Sequence, residues 1–325
     1  MAKLAEWRES LARLGDLGPN LAQTGLLLGG MLALYAVCGA LVFGATGAWI
    51  FAVVSLVLFV ATPKVSPRLL LRLYNAIPVH VDELRKPYEL LRRICLRSGL
   101  SQVPELYYIP SSALNAFTLG RPNHAFIAVT DGLLRQLSLR ELAGMLAHEV
   151  AHILQRDTFV LAIADWITRI TRWASYIGIL CVIVTLPLAL VGRAGIEWIG
   201  FLLIALAPTL CGLLQNGLSR TRELAADDLA VEITTDPVGL ALALERLERY
   251  ESRLWEDLVG VGRRIPDPSL LRTHPPTELR IQRLLSRAAQ PRAKEFERLP
   301  GPVAVPKRLA IISRRPRWHV NGLWY

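Results

Sequence analysis

Between Asp16 and Lys64 the chain carries no charged residue. A stretch so long and apolar suits a bilayer interior, where charge is costly and a helix bonds its own backbone. It divides at Gly44-Ala45-Thr46-Gly47 into apolar runs at 21–43 and 48–61. At about 1.5 Å per residue the first run alone crosses a hydrocarbon core of about 30 Å, and the second is helped by its Gly47 and Thr62-Pro63 flanks. Two more uncharged runs, 173–192 and 198–219, are separated by Arg193-Ala194-Gly195-Ile196-Glu197. Of the 325 residues, 52% are hydrophobic and 20% charged, with a mean hydropathy of +0.35, which excludes an ordinary soluble two-domain enzyme. The pattern predicts an integral membrane protein with four transmembrane helices in two hairpins. A mostly polar segment precedes the first run, so that run is expected to be an uncleaved anchor and not a signal peptide.

Orientation follows from the basic residues near the span ends. Arg8 and Arg13 precede the first span, Lys64, Arg68 and Arg72 follow the second, Arg169 and Arg172 precede the third, and Arg220 and Arg222 follow the fourth. The opposite side offers Arg193, so the positive-inside rule puts both termini and the large polar segments in the cytoplasm. The net charge of +10 is thus largely a membrane signature, and nucleic acid is not an expected partner because the charge does not gather in one soluble patch. Cys38, Cys181 and Cys211 fall within apolar runs and Cys95 in a basic segment, without zinc or disulfide spacing.

Chemistry enters at His148-Glu149-Val150-Ala151-His152. Histidines four residues apart lie on one helix face and can reach one Zn²⁺, with the intervening glutamate placed to take a proton from a water. Ser138 and Glu141 read as a capping box, and Leu139, Leu142, Met145, Leu146, Val150 and Ile153 continue with helical spacing. A metzincin would have glycine at 155 and histidine at 158, where this chain has Gln155 and Thr158. The third ligand therefore lies elsewhere. Between Thr158 and Arg222 the carboxylates are Asp165, about 20 Å away if the helix runs on from His152, and Glu197, on the far side of the bilayer. Glu223 is the first glutamate to return to the near side and is the candidate third ligand, against the alternative of a juxtamembrane partner for Arg220 and Arg222. Asp227, one turn on, can accept a hydrogen bond from the free nitrogen of a ligating histidine.

These residues resemble the HtpX-like membrane zinc metalloproteases, relatives of the CaaX prenyl proteases and the mitochondrial quality-control peptidases. The resemblance covers about residues 20–290. It rests on the HEVAH helix running into Gln155-Arg156-Asp157, on Glu223 with Asp227, on Asn115-Ala116-Phe117 ahead of the helix, and on Thr273-His274-Pro275-Pro276 with Arg280-Ile281. Leu224 departs from it, since the family more often has an aromatic residue there. The resemblance implies a mainly α fold with a small β-sheet and a cytoplasmic zincin-like (gluzincin) catalytic domain. It implies one zinc ion per chain held by His148, His152 and Glu223, with Glu149 as general base. His274 is the candidate donor to the oxyanion, or else a residue of a helix start capped by Thr273. Arg280 is expected to pair with Asp227 or Asp157, and Asp157 to support the metal site or cap a helix.

Strand-like segments at 105–109 and 124–130 flank 113–119, whose edge at Asn115, Ala116 and Phe117 is the candidate substrate-binding strand. His80, His124 and His319 are isolated and take no ligand role. Helical runs at 237–258 and 277–287 are expected to cover the catalytic helix. The chain thus reads as an N-terminal segment (1–20), a first hairpin (21–62), a first catalytic part (63–172), a second hairpin (173–219), a second catalytic part (220–289) and a tail (290–325). The tail holds Pro291, Pro300, Pro302, Pro306 and Pro316 with eight Lys or Arg, and its Trp318, Trp324 and Tyr325 suit either an anionic lipid surface or a loosely docked extension. The expected activity is a membrane zinc endopeptidase of a bacterial-type inner membrane, its site facing the cytoplasm, acting on misfolded membrane proteins. A CaaX-type processing protease or a non-catalytic, metal-stabilised membrane scaffold are the alternatives.

Overall fold

The computed structural model describes residues 22–41, 44, 49, 52–53, 56–57, 67–192, 198–259, 277–288 and 305. Most of the expected second span, Arg193, Glu197, His274 and all of the tail but Val305 lie outside the described residues. What is described is mainly helical with one small mixed sheet, and it divides into two compact units.

One unit contains α1 (Ala22–Leu41), residues 159–190 of α6 (Asp157–Leu190) and residues 198–222 of α7 (Trp198–Thr234). Among the described residues, these three helices are long and apolar enough to cross a membrane. Where they meet, the buried side chains are Cys38, Ala174 and Ala207 in one cluster, and Met31, Ala164, Ile167, Cys211 and Leu218 in another. Small residues at such contacts let helices approach where lipid removes the hydrophobic drive to associate. Leu180, Ile183, Val184 and Leu202 point outward, as lipid-facing positions do. Pro187 and Pro208 sit inside α6 and α7, as membrane helices tolerate. The charge-free run begins at 173, yet α6 begins at Asp157, because no Gly or Pro interrupts the intervening sequence.

The other unit is built on a four-stranded sheet in the order β1-β2-β4-β3, from β1 (Ile77–Pro78), β2 (Glu105–Ile109), β3 (Ala116–Arg121) and β4 (His124–Thr130). β4 lies between β2, to which it is parallel, and β3, to which it is antiparallel. Its Ala125–Thr130 side chains are buried on both faces, which explains its nearly unbroken apolar sequence. β3 is the outer strand and alternates. Ala116 joins the main core while Phe117 and Leu119 pack on the opposite face, Phe117 with its ring 5.0 Å from that of Tyr74. The strand starts later than the expected 113, because Thr130 Oγ1 donates toward the Ala113 carbonyl at 2.6 Å and so holds that segment with a side chain in place of a ladder.

α2 (Pro67–Leu73), α3 (Arg85–Ser98) and α4 (Asp131–Gln136) flank the sheet sequence, and α5 (Leu139–Gln155) supplies the main core. The Ser138 hydroxyl accepts from the Glu141 amide, and the Glu141 carboxylate accepts from the Ser138 amide at 2.7 Å, which closes the capping box at its start. Leu142, Ala143, Leu146, Ala147, Val150 and Ala151 are fully buried. α8 (Pro237–Val259) crosses closely at Gly144, and Arg140 grips Asp236 with two bonds of 2.6 and 2.7 Å while Asp236 caps α8 through the Gly239 amide. α9 (Thr277–Ala288) packs on α8.

The condition under which Asp165 would stand about 20 Å from His152, one unbroken helix, is not met. α5 stops at Gln155, where Arg156 adopts a left-handed conformation (φ 56°) and its amide closes onto the carbonyls of His152 and Ile153, and α6 starts anew at Asp157.

A Cβ on Gly144 would stand 2.8 Å from the Leu240 backbone. Gly144→Ala should therefore destabilise the protein by about 1–3 kcal/mol, read as a lower unfolding midpoint by circular dichroism in detergent.

Candidate metal centre

α5 presents His148 and His152 on one face, with the rings 4.6 Å apart and nearly perpendicular. Their Nε2 atoms converge to 3.1 Å. Glu223, from the C-terminal part of α7, brings Oε2 to 3.4 Å from His148 Nε2 and Oε1 to 3.9 Å from His152 Nε2. One atom from each of the three residues lies within 4.8 Å of the others. In a tetrahedral zinc site with ligand distances of about 2.0–2.1 Å, donor atoms stand about 3.3 Å apart, so the spacing of this group matches what such an ion requires.

Each imidazole is oriented from behind. His148 Nδ1 lies 3.0 Å from Asp227 Oδ1, and His152 Nδ1 lies 2.6 Å from Asp157 Oδ2. An aspartate at Nδ1 favours the ring proton there, through a hydrogen bond at His152 and a close charge contact at His148, and so turns each Nε2 toward the same point. Two facing lone pairs repel unless a cation lies between them, so the donor set fits a divalent metal. The turn at Arg156 brings Asp157 back to His152.

Charge is concentrated here. Glu149, Asp157, Asp227 and Arg280 are all buried, and Glu223 is nearly so. Arg280, from α9, donates from Nε and Nη2 to both Asp227 oxygens at 2.7 Å, and its Nη1 lies 3.1 Å from Glu223 Oε2. This fork matches carboxylate geometry and settles the expected choice of partner in favour of Asp227 over Asp157. Burial works against the charged form of Asp227, but Arg280 and His148 outweigh it and hold the carboxyl below its usual range. Burial likewise disfavours a charged His148, yet Asp227 and Glu223 lift it to about 10. The site favours positive charge at this spot, whether a proton or a metal ion.

Glu149 stands beside this cluster, and its carboxylate also reaches β3. Burial pushes its carboxyl above the usual range, against the opposing influence of His152, His148 and the Thr118 hydroxyl. Thr118 donates to Glu149 Oε2 at 2.8 Å. Sequence reasoning passed over Thr118. The available signal was strand alternation, since Thr118 shares a face of β3 with Ala116, which packs toward α5.

The structure thus brings together His148, His152, Glu149, Glu223, Asp157, Asp227 and Arg280. Ala116 and Phe117 open the outer strand and Asn115 precedes it, with Ala116 buried in the core and Phe117 turned to the other face. His274 lies outside the described residues.

If Asp227 orients His148 for metal, Asp227→Asn should weaken zinc binding about 10- to 100-fold, measured by competition with a chromogenic chelator. Unchanged affinity would remove that role.

The profile of peptidase family M48 matches residues 88–288. A curated relative described as a protease HtpX homolog from Acaryochloris marina is 38% identical over 282 residues, covering 80% of this chain and 89% of its own. Another protease HtpX homolog, from Paraburkholderia phytofirmans, is 34% identical over 292 residues, covering 83% and 97%. A crystal structure of S. mikatae Ste24p aligns with a TM-score of 0.41 at 19% identity, over 83% of this chain and 65% of that one, a likeness too distant to bear on function. The family is metal-dependent, and its match spans α5, the strands β2, β3 and β4, and Glu223. With three apolar helices of membrane-crossing length, the chain belongs to peptidase family M48 and is a membrane-bound metalloprotease.

Proposed function

We propose that the chain is a zinc endopeptidase in which His148, His152 and Glu223 hold one ion. The observation that carries this is the convergence of two imidazole Nε2 atoms and one carboxylate at tetrahedral spacing, each imidazole oriented by its own buried aspartate. Zinc suits a donor set of two nitrogens and one oxygen that leaves a fourth position free. When bound, the ion supplies Lewis-acid activation of a water and of the scissile carbonyl.

The chain's own residues do the rest. Glu149, beside His148 in sequence, is the general base: its carboxylate takes a proton from the attacking water and returns it to the leaving amine. Burial supports this by making the carboxyl a stronger base than an exposed glutamate. Arg280 orients Glu223 and Asp227 together, so that one guanidinium positions a ligand and the partner of another ligand. Asp157 does the same for His152. His274 is proposed as donor to the oxyanion on its sequence setting alone, since it lies outside the described residues.

Substrate recognition is proposed along β3. Its outer edge, unpaired among the described residues, together with Asn115 just ahead of Ala116 and Phe117, can take an extended peptide as an added strand, which recognises backbone more than sequence. Protein chains, including misfolded membrane proteins, are the proposed substrates. Basic residues flanking the apolar runs support four spans in two hairpins, with the polar segments 63–172 and 220–289 forming one catalytic domain on the cytoplasmic side of a bacterial-type inner membrane. Nothing in the matches favours a CaaX-type processing role over this reading.

Wild type and Glu149→Gln, purified in detergent, separate a protease from a metal-stabilised scaffold. Equal zinc content with casein cleavage reduced by about 100-fold or more in the variant is expected. Unaltered cleavage, or a wild-type chain that binds no zinc, would contradict the proposal.

A further inference from the structure

We infer that Thr118 is a positioning residue for the general base, its hydroxyl tying the Glu149 carboxylate to the outer strand of the sheet. The inference rests on the role proposed for Glu149 and adds a residue to that machinery.

Thr118 lies in the middle of β3, paired with Ile127 of β4, on the face turned toward α5. Its Oγ1 is 2.8 Å from Glu149 Oε2 and 3.3 Å from the Glu149 carbonyl oxygen. Both neighbours are oxygen acceptors, and the single hydroxyl proton goes to the nearer, the carboxylate Oε2. Glu149 is a buried carboxylate on a helix, with three side-chain torsions that could point it in several directions. A base must hold its accepting oxygen within about 2.6–3.2 Å of the proton it removes. One bond from Thr118 to Oε2 fixes the plane of the carboxylate and leaves Oε1 to accept. Thr118 keeps its own proton throughout, so it orients without entering the transfer: the proton moves from water to Oε1 and later to the leaving nitrogen.

The placement has a second consequence. Among the described residues β3 pairs on one edge alone, and Thr118 lies one residue beyond Phe117. The strand proposed to receive the substrate backbone therefore also carries the group that aims the base. A β-branched side chain, held in one χ1 well on a paired strand, is a rigid mount for such a bond. A plain structural role would serve as well to satisfy a buried carboxylate, and the two differ in what they do to turnover.

The test uses the full-length protein in detergent. Thr118→Val removes the hydroxyl and keeps the shape, Thr118→Ser keeps the hydroxyl, and Thr118→Ala is a second removal should the valine variant not fold. With a fluorogenic peptide cleaved by wild type, kcat should fall about 10-fold or more in Thr118→Val, with KM, zinc content and unfolding midpoint unchanged, and Thr118→Ser should recover most of the loss. Wild-type kcat in Thr118→Val or Thr118→Ala would overturn the inference. So would a loss of activity that tracks loss of zinc or of stability and is shared by Thr118→Ser. Glu149→Gln run in parallel separates the two levels. If it is inactive while Thr118→Val is fully active, Thr118 alone is misassigned, whereas an active Glu149→Gln overturns the reading of the base and this one with it.

Discussion

Four carboxylates, Glu149, Asp157, Glu223 and Asp227, are sequestered around two imidazoles and one guanidinium. Burying that much like charge is expensive, and an unpaired carboxylate in such a place would cost several kcal/mol. Arg280 offsets part of it by forking onto Asp227 and reaching Glu223. The remainder calls for a cation at the point where the His148 and His152 Nε2 atoms meet. The fold around this cluster can be understood as the apparatus that keeps the charges in register. α5 is immobilised by its capping box, by the Gly144 contact with α8 and by the Arg140–Asp236 pair. α7 carries Glu223 and Asp227 one turn apart, and α9 brings Arg280 across to them.

The same arrangement separates two tasks that a metalloprotease must keep apart. His148, His152 and Glu223 are held by partners within the helical layer, through Asp227, Asp157 and Arg280. Glu149 shares the helix with the two histidines and reaches the sheet as well, where the Thr118 hydroxyl donates to it. The two histidines proposed as ligands and the glutamate proposed as base, all from one short motif on α5, thus have different neighbours, carboxylates for the first and a strand hydroxyl for the second.

Much of this was legible in the chain. The two histidines, the capping box and the apolar spacing of α5 are local patterns, and local patterns survive without tertiary knowledge. The strands at 105–109 and 124–130 and the helices near 237 and 277 were legible for the same reason. Glu223 emerged from the alternation of polar and apolar segments, which confines where a glutamate can return. Three things were not readable. The break at Arg156 depends on a non-glycine residue adopting a left-handed turn, which sequence disfavours and the Asp157–His152 contact accompanies. The choice of Asp227 over Asp157 for Arg280 depends on how α9 docks. Thr118 depends on which face of β3 meets α5, and a one-residue shift in the strand's start would have reversed it.

The most direct test of the account is anomalous diffraction at the zinc edge from the metal-loaded protein. The account predicts one strong peak per chain, within about 2.0–2.2 Å of His148 Nε2, His152 Nε2 and a Glu223 oxygen. A peak at other residues, or the absence of one from active protein, would contradict it.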